Sequence, residues 1–571
     1  MSTSARSLAS LALVLIVSAK PSIAAWQSNG NPLCTAPLRQ AQAVAVSDGG
    51  AGAIVVWIDY RLNEFHGGLF YSDIYAQHID GNGVPQWAIN GVPICTADFD
   101  QYGIDVIPDG SGGAVLAWVD DRNGASDIYA QHLSFQGTSL WTTNGAPVCT
   151  FSMNQVSPRL SSDGEGGVII TWGDQRPVNS HDIYVQRLDQ SGTALWSTNG
   201  IPICTAVRSQ AGPQVVASTG GAFVIVWKDG RPDVSSEIDD IYAQLVDPSG
   251  LVAWTADGVP VCTAANKQEL PVAVPDAAGG TLVAWIDWRR GASPAAVYAQ
   301  KISLSGVTQW ASNGVTLGLP ALAGQQAPAI VADGAGGAFI AAGDYAQSVR
   351  VQLVNAAGSS PWGSPLLLSS SGYEPRIVSD GSGGAVVAWT DYRNSSSSNP
   401  SDIYAQRFDA TGTSQWLSVG SAVSLADSVQ EAPAIVSTND GGAIIAWYDG
   451  RTDALGDVYA SRLGPLGTTP TGVHDHATPA ALRLSESFPN PFSRNTSMTL
   501  SIDRDAYVAR DVFDVRGSRV AHFAPAAYPT GEHTLVFDGR DVAGRLLPSG
   551  VYFYRVKIGD QATTRKLIIS R

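Results

Sequence analysis

What the chain lacks narrows its class first. Charged residues make up only 15% of its 571 residues, and 34 Lys and Arg face 50 Asp and Glu, for a formal net charge of −16. Nucleic acid is excluded as a partner, because phosphate recognition needs a clustered basic footprint. The acidic excess otherwise speaks to solubility. Long apolar runs are missing too. The stretch from Leu8 to Ala19 is too short to span a bilayer, and no later segment qualifies, so the mature chain is expected to have no transmembrane segment. Catalytic signatures are absent: there is no nucleophile elbow, phosphate loop or zinc-protease helix motif. Neither CxxC nor Cys/His zinc spacings occur. The Asp-Gly-Ser-Gly-Gly turns lack the alternating acidic ligands of a calcium loop and instead supply glycines for tight turns. The expectation is no metal, no cofactor and no recognisable enzyme.

A disulfide framework is missing as well. The five cysteines, Cys34, Cys95, Cys149, Cys204 and Cys262, are odd in number, and each lies eight residues after a Trp. The same offset later falls on Gly318, Ser370 and Ser424. This is a position for small residues, where Cys serves as a small buried hydrophobe. Equivalent positions in successive repeats do not offer the narrow Cα separation a disulfide requires. Free thiols are expected.

What is present is repetition. With 60 Gly and 16 Trp, the composition suits short strands, tight turns and large aromatics between sheets. The stretch Asp109 to Gln131 holds a Gly-rich turn, an apolar run ending in Trp118, a polar loop and a second alternating run. That is two strands of a small antiparallel sheet. The pattern returns around Trp57, Trp172, Trp227, Trp285, Trp389 and Trp447, and in worn form around Asp344. A period of roughly 50 to 60 residues marks a propeller or solenoid. Each unit has a first strand, a Gly-rich turn, and a second strand ending Trp-x-Asp-x-Arg. A variable loop, a third strand Asp-Ile-Tyr-Ala-Gln, a turn such as Asp80 to Gly83 and a last strand with a second Trp follow. Four strands per unit is a propeller blade.

The second Trp series is Trp26, Trp87, Trp141, Trp196, Trp254, Trp310, Trp362 and Trp416. Its first member opens a tail, Trp26 to Thr35, that has no head. The last head, Ile444 to Ala460, has no tail. An open stack gains nothing from this offset, whereas a ring gains a latch and loses its free sheet edges. The expected fold is all-β: an eight-bladed β-propeller over 25–463, closed by the N-terminal strand. Before it, residues 1–24 read as a signal peptide, with Arg6, the apolar core and Ser22-Ile23-Ala24. After it, 464–482 has linker composition, and its His474 and His476 read as solvated.

From 483 to 571 the texture changes to about seven short alternating strands, as in a small β-sandwich. Phe488-Pro489-Asn490-Pro491-Phe492, Phe513 to Gly517, Phe537 to Gly544, Pro548-Ser549-Gly550-Val551-Tyr552 and the closing Lys566 to Arg571 occur in order. This region resembles the C-terminal sorting domain of the bacterial type IX secretion system and the Ig-like domain of flagellar hook-capping proteins. The resemblance implies an Ig-like sandwich, with Pro489, Asn490, Pro491, Phe492, Gly550, Tyr552 and Lys566 as its sorting motif. It also implies the type IX machinery as partner, and passage through the periplasm to the cell surface or beyond.

The repeated Asp/Arg pairs, from Asp59/Arg61 to Asp449/Arg451, and the third-strand Asp73, Asp127, Asp182, Asp240, Asp402 and Asp457 could do glycosidic acid/base chemistry or hold an anion. Catalysis needs one asymmetric constellation, and these recur in nearly every unit, so they read as ion pairs of the fold. Binding falls to the loops that vary. The sixth unit has almost no loop and replaces its Trp by Ala342, leaving a notch. Tyr345 near the notch, Trp288 one unit away, and Phe65, His66 and Tyr71 on the opposed long loop of the first unit are the candidate ligand-binding residues. The expected function is a secreted or surface binding or scaffold protein with an extracellular protein or glycan partner. The alternative is a propeller hydrolase or lyase acting on extracellular polysaccharide.

Overall fold

The computed structural model describes residues 26–61, 71–176, 180–231, 238–289, 295–321, 326–344, 348–395, 400–438, 440–452, 455–469, 483–485, 487–502, 506–528, 531–541, 544–558 and 561–571. Among these residues the chain is all-β and propeller-like, with one 3-10 turn at Thr219–Gly221 and no α-helix. Residues Asn31 to Leu463 make eight four-stranded antiparallel sheets. The first is built in chain order from Gln40–Ser47, Ala53–Asp59, Asp73–Ile79 and Val92–Cys95. The eighth takes three strands from the end of the array, Gln430–Ser437, Ala443–Asp449 and Asp457–Leu463. Its fourth strand is Asn31–Cys34, with Asn31 opposite Ala460 and Pro32 opposite Tyr459. Pairing of the headless tail with the tailless head is therefore present.

The second strands are continuous apolar runs. Ala53–Asp59 reads Ala-Ile-Val-Val-Trp-Ile-Asp and is buried at every position. A strand covered on both faces needs no polar alternation. The core lies between neighbouring sheets. Ile54, Val56 and Ile74 of the first sheet share a cluster with Leu116 and Trp118 of the second. Trp57 packs with Leu33, Val458 and Ala460 of the eighth.

Polar side chains fix the geometry around this core. Gln77, the last residue of Asp-Ile-Tyr-Ala-Gln, donates from Nε2 to Ala88 O at 2.8 Å, and its Oε1 accepts from the Trp87 amide at 2.9 Å. It ties the third strand to the tail. The tail Trp then reaches the next sheet. Trp141 Nε1 donates to Gln190 O at 2.9 Å, Trp416 Nε1 to Pro465 O at 3.0 Å, and Trp26 Nε1 to Gly81 O at 3.0 Å. Gly464 and Gly467, in the stretch with linker composition, close the turn that receives Trp416, with Gly467 N donating to Gly464 O at 2.9 Å. Gly-Pro-Leu-Gly is turn chemistry as well as linker chemistry.

The first strand carries a bulge in every unit but the sixth. In Gln40–Ser47 the register shifts between Ala41 and Val44, and Gln42 has φ 51°. That strand packs against Gln101–Pro108 of the second sheet and also against Gln430–Ser437 of the eighth.

The tail of the sixth unit departs from the eight-residue offset. Ser369, not Ser370, opposes Val349, as Cys95 opposes Ile74 in the first unit. The reason is a shorter tail, in which Gly363 to Pro365 replaces a four-residue segment such as Ala88 to Gly91.

Beyond the array, Arg483–Leu484, Thr496–Ile502 and Gly531–Phe537 form a three-stranded sheet. Ala506–Asp514, Arg519–Tyr528, Gly550–Ile558 and Gln561–Ile569 form a four-stranded one. Leu500 and Leu535 of the first share a core with Val512, Tyr554 and Leu567 of the second.

Candidate functional site

The repeated carboxylates of Trp-x-Asp-x-Arg are held by the fold itself. Asp59 is fully buried. Its Oδ2 accepts from Trp57 Nε1 at 2.7 Å and from Arg61 Nη2 at 2.5 Å, and its Oδ1 accepts from Arg61 Nε at 2.9 Å. Arg61 Nη2 also donates to Asn90 O at 2.8 Å and lies 3.0 Å from Cys34 Sγ of the preceding sheet. Its guanidinium sits 3.9 Å from the Tyr75 ring centroid. The same Asp–Arg ion pair recurs at 120/122, 174/176, 229/231, 287/289, 391/393 and 449/451. Every oxygen of these carboxylates is occupied, so the motif is a staple between a strand end, a tail and the preceding sheet. Ser369 replaces Cys at one junction, and its hydroxyl donates to Asp391 Oδ2 at 2.7 Å.

The five cysteines are free and buried. Burial pushes the thiols of Cys34, Cys95, Cys149, Cys204 and Cys262 up to about 12, well away from the thiolate that reactivity requires.

The third-strand carboxyls differ from the second-strand ones. Asp73 stands opposite Asp59 in the ladder. Burial, and then the Asp59 charge, push it up to about 7. Asp240 rises to about 7 and Asp182 to about 6 for the same reasons. A protonated carboxyl beside an ionised one is the pattern of an acid/base pair. Here it repeats with the fold, so it follows from strand register.

Of the five loop candidates, Phe65, His66 and Tyr345 lie outside the described residues. Tyr71 packs edge-on to Phe99, ring centroids 5.2 Å apart. Trp288 is half-buried against the core between the fifth and sixth sheets, and its Nε1 donates to Glu269 Oε1 at 3.0 Å. Tyr71 belongs to the first unit and Trp288 to the fifth.

The geometry brings together a different set. A cavity of about 660 Å³ is lined by residues from the first strands of all eight units, among them Val44, Asp105, Arg159, Gln214, Val272, Ile330, Arg376 and Ile435. Asp105 Oδ2 accepts from the Leu160 amide at 2.8 Å. Burial pushes both Asp105 and Glu374 above the usual carboxylate range, while Arg159 and Arg376 pull them the other way. Arg159 Nη1 donates to Pro158 O at 2.9 Å, and Arg376 Nη1 lies 3.5 Å from Pro375 O. Loop variation did not point to these residues. The available signal was a charged side chain in a first strand where other units have Val or Ala. Among the described residues no group of three or more His, Cys, Asp or Glu is placed to hold a metal ion.

In the C-terminal unit the motif residues meet on the last strand. Asn490 Nδ2 donates to Lys566 O at 2.8 Å, and Asn490 Oδ1 accepts from the Ile568 amide at 2.8 Å. Both Pro489 and Pro491 follow cis peptide bonds. Phe492 is buried and exchanges backbone hydrogen bonds with Ile568 and Ser570. Gly550 opens the strand that carries Tyr552, whose hydroxyl donates to Pro548 O at 3.0 Å.

Residues 486–570 match the model of the secretion system C-terminal sorting domain. The chain thus carries a type IX sorting tail, which indicates export to the cell surface or secretion and engagement of the type IX machinery. No helix among the described residues is long and apolar enough to cross a membrane. No curated protein matches the chain. Among solved structures, the chain is similar to the BP39L lectin from Burkholderia pseudomallei, at 12% identity over 66% of this chain and 98% of that one, with a TM-score of 0.42. It is similar to an endo-arabinase from Bacteroides thetaiotaomicron at 12% identity over 57% of this chain and 96% of that one, with a TM-score of 0.27. PorZ, a surface component of the type IX secretion system of Porphyromonas gingivalis, is similar at 11% identity over 94% of this chain and 82% of that one, with a TM-score of 0.25.

Proposed function

We propose that the array is a closed eight-bladed β-propeller that, once exported, serves as a binding scaffold for an extracellular glycan or protein. The pairing of Asn31–Cys34 with Asp457–Leu463 and the packing of the first unit's inner strand on the eighth's support the closed ring. The ring would span 25–463 and the turn that follows, with a signal peptide at 1–24. The remaining linker leads to an Ig-like sandwich, a reading supported by the two packed sheets of the tail. The observation that carries the binding reading is that each Trp-x-Asp-x-Arg carboxylate is consumed by its own Trp and Arg. The repeat then supplies rigidity and leaves recognition to residues that depart from it. Phe65, His66, Tyr71, Trp288 and Tyr345 on the variable face remain candidate contacts.

A second reading, a hydrolase or lyase acting on polysaccharide, is favoured by the raised carboxyls of Asp105 and Glu374 in one cavity. A glycan array and a reducing-end assay on the full chain separate the two. Retention of a surface glycan without turnover is expected. Release of reducing ends that Asp105→Asn abolishes would replace the scaffold by the enzyme.

A further inference from the structure

The cavity formed by the inner strands has a polarity that the repeat does not require. Across the units, the residue opposite the second strand at one fixed register point is Val44, Asp105, Arg159, Gln214, Val272, Ala329, Arg376 and Ala434. Four are aliphatic, as an inner strand allows, and four are polar or charged. Two are arginines, in the third and seventh units. In a ring of eight, the third and seventh inner strands stand opposite each other. Because both arginines occupy the same register point, they stand at the same level.

These guanidiniums also differ from those of the repeat. The arginines of Trp-x-Asp-x-Arg are all ion-paired. Among the described residues neither Arg159 nor Arg376 has a carboxylate within 4.0 Å, and each instead turns to the carbonyl of its own preceding proline. Asp105, the nearest inner-strand acid in sequence order to Arg159, is engaged by the Leu160 amide. Each arginine keeps donors of its fork available toward the cavity, in a chain whose net charge is −16. Gln214 adds an amide on the strand beside Arg159, its Nε2 donating to Pro213 O at 3.0 Å, and Gln326 lines the cavity from the sixth unit. Val44, Val272, Ile330 and Ile435 supply the apolar wall. A cavity of this size, lined by apolar side chains and convergent polar ones in about equal share, has the dimensions of a small-ligand site.

We propose that the channel binds a small organic dicarboxylate, with one carboxylate on Arg159 and the other on Arg376. The guanidinium fork matches a carboxylate through two parallel N–H···O bonds. Two forks facing each other select a ligand with an anionic group at each end, and the Gln214 amide on the neighbouring strand suits a hydroxyl group of that ligand. Burial raises Asp105 and Glu374 above the usual carboxylate range, while Arg159 and Arg376 act against it. This site rests on the ring reading, since only a ring sets the third and seventh strands opposite.

The test is calorimetric titration of the full chain with glucarate, a six-carbon hydroxylated dicarboxylate, beside gluconate, which has one carboxylate. Saturable glucarate binding is expected, with gluconate weaker by at least about tenfold, the equivalent of one charge-assisted fork. Arg159→Gln and Arg376→Gln should each weaken glucarate by a similar factor, with melting temperatures unchanged. Absence of saturable glucarate binding by the wild type overturns the proposal. So does equal affinity for gluconate, or wild-type affinity in the double variant. Failure of the ring reading shows separately, as an unchanged melting temperature for Trp26→Ala, a measurement that contains no ligand.

Discussion

Trp26→Ala tests the ring most directly. Trp26 is 2% exposed although it stands at the start of the described chain. It packs with Leu33, Trp57 and Val458, and its indole N–H reaches Gly81 O of the first unit. Trp141 makes the same contact at an internal junction, to Gln190 O. Around Trp26 the junction is complete in other respects. Asn29 Oδ1 accepts from the Leu425 amide at 2.9 Å, and Asn29 O accepts from Arg451 Nη2 at 2.7 Å. Asn90 makes the corresponding pair with Thr35 and Arg61. Gly30 lies against Trp447 as Gly91 lies against Trp57, each at positive φ.

Removing a buried Trp costs about 3–5 kcal/mol. With an unfolding entropy of ~2.1 cal/mol/K per residue, an array the length of Trp26 to Leu463 would lose about 3–5 °C if it melts as one unit. The informative quantity is the comparison: Trp26→Ala and Trp141→Ala should lower the melting temperature by similar amounts in differential scanning calorimetry. If Trp141→Ala destabilises and Trp26→Ala does not, the end junction is not formed in solution and the ring is wrong.

Three further outcomes are expected. All five thiols should resist alkylation at pH 8 in the folded protein and react once it is unfolded. Any intrachain disulfide found by non-reducing mass mapping contradicts the free buried sites. The carboxyls of Asp73, Asp182 and Asp240 are raised to about 6–7, so the folded state holds protons that the unfolded chain releases near pH 4. Their contribution to stability is full below that value and is lost as the pH rises through 6–7. Asp73→Asn should therefore raise the melting temperature at pH 8 and leave it nearly unchanged at pH 4, and the opposite ordering would refute the assignment. Truncation before Leu484 should leave the array folded but retained in the periplasm, as read by fractionation, and surface display of the truncated chain would contradict the role of the tail.

The periodic part of this structure was legible because each repeated residue has one partner that is also repeated. Trp57, Asp59 and Arg61 recur with fixed spacing, as do Gln77 and its tail Trp87, and the structure joins each to strand ends and tails of the same or a neighbouring unit. The headless tail at Trp26 was legible for the same reason. The cavity was not. Asp105, Arg159, Glu374 and Arg376 are single departures from the repeat, far apart in sequence, and they share a cavity only because eight inner strands converge. No spacing along the chain encodes that proximity. Ser369 was misplaced by one residue because a fixed offset cannot register a shortened tail.

The sixth unit shows how a lost Trp is accommodated. Ala342 stands where the other second strands have a fully buried Trp, yet it is only 5% exposed and belongs to a packed cluster. That cluster contains Leu319, which is fully buried. In the first unit the residue at the same place after the tail Trp is Thr96, which is exposed. The tail of the fifth unit, Val315–Ala321, is longer than Val92–Cys95, passes through Gly318 at φ 67°, and pairs Ala321 with Ala295. Leu319 is thereby carried into the core next to Ala342, so the volume lost on one strand is supplied by the neighbouring tail. Restoring the consensus alone should then overfill the site. Ala342→Trp is expected to destabilise by about 1–3 kcal/mol, and Leu319→Ala by about 2–5 kcal/mol through the cavity it opens. The double variant should cost less than the sum, because each change makes room for or fills the other. A double-mutant cycle in urea unfolding measures this coupling. Additive costs, or a gain in stability from Ala342→Trp alone, would show that Leu319 does not occupy the place of the missing ring.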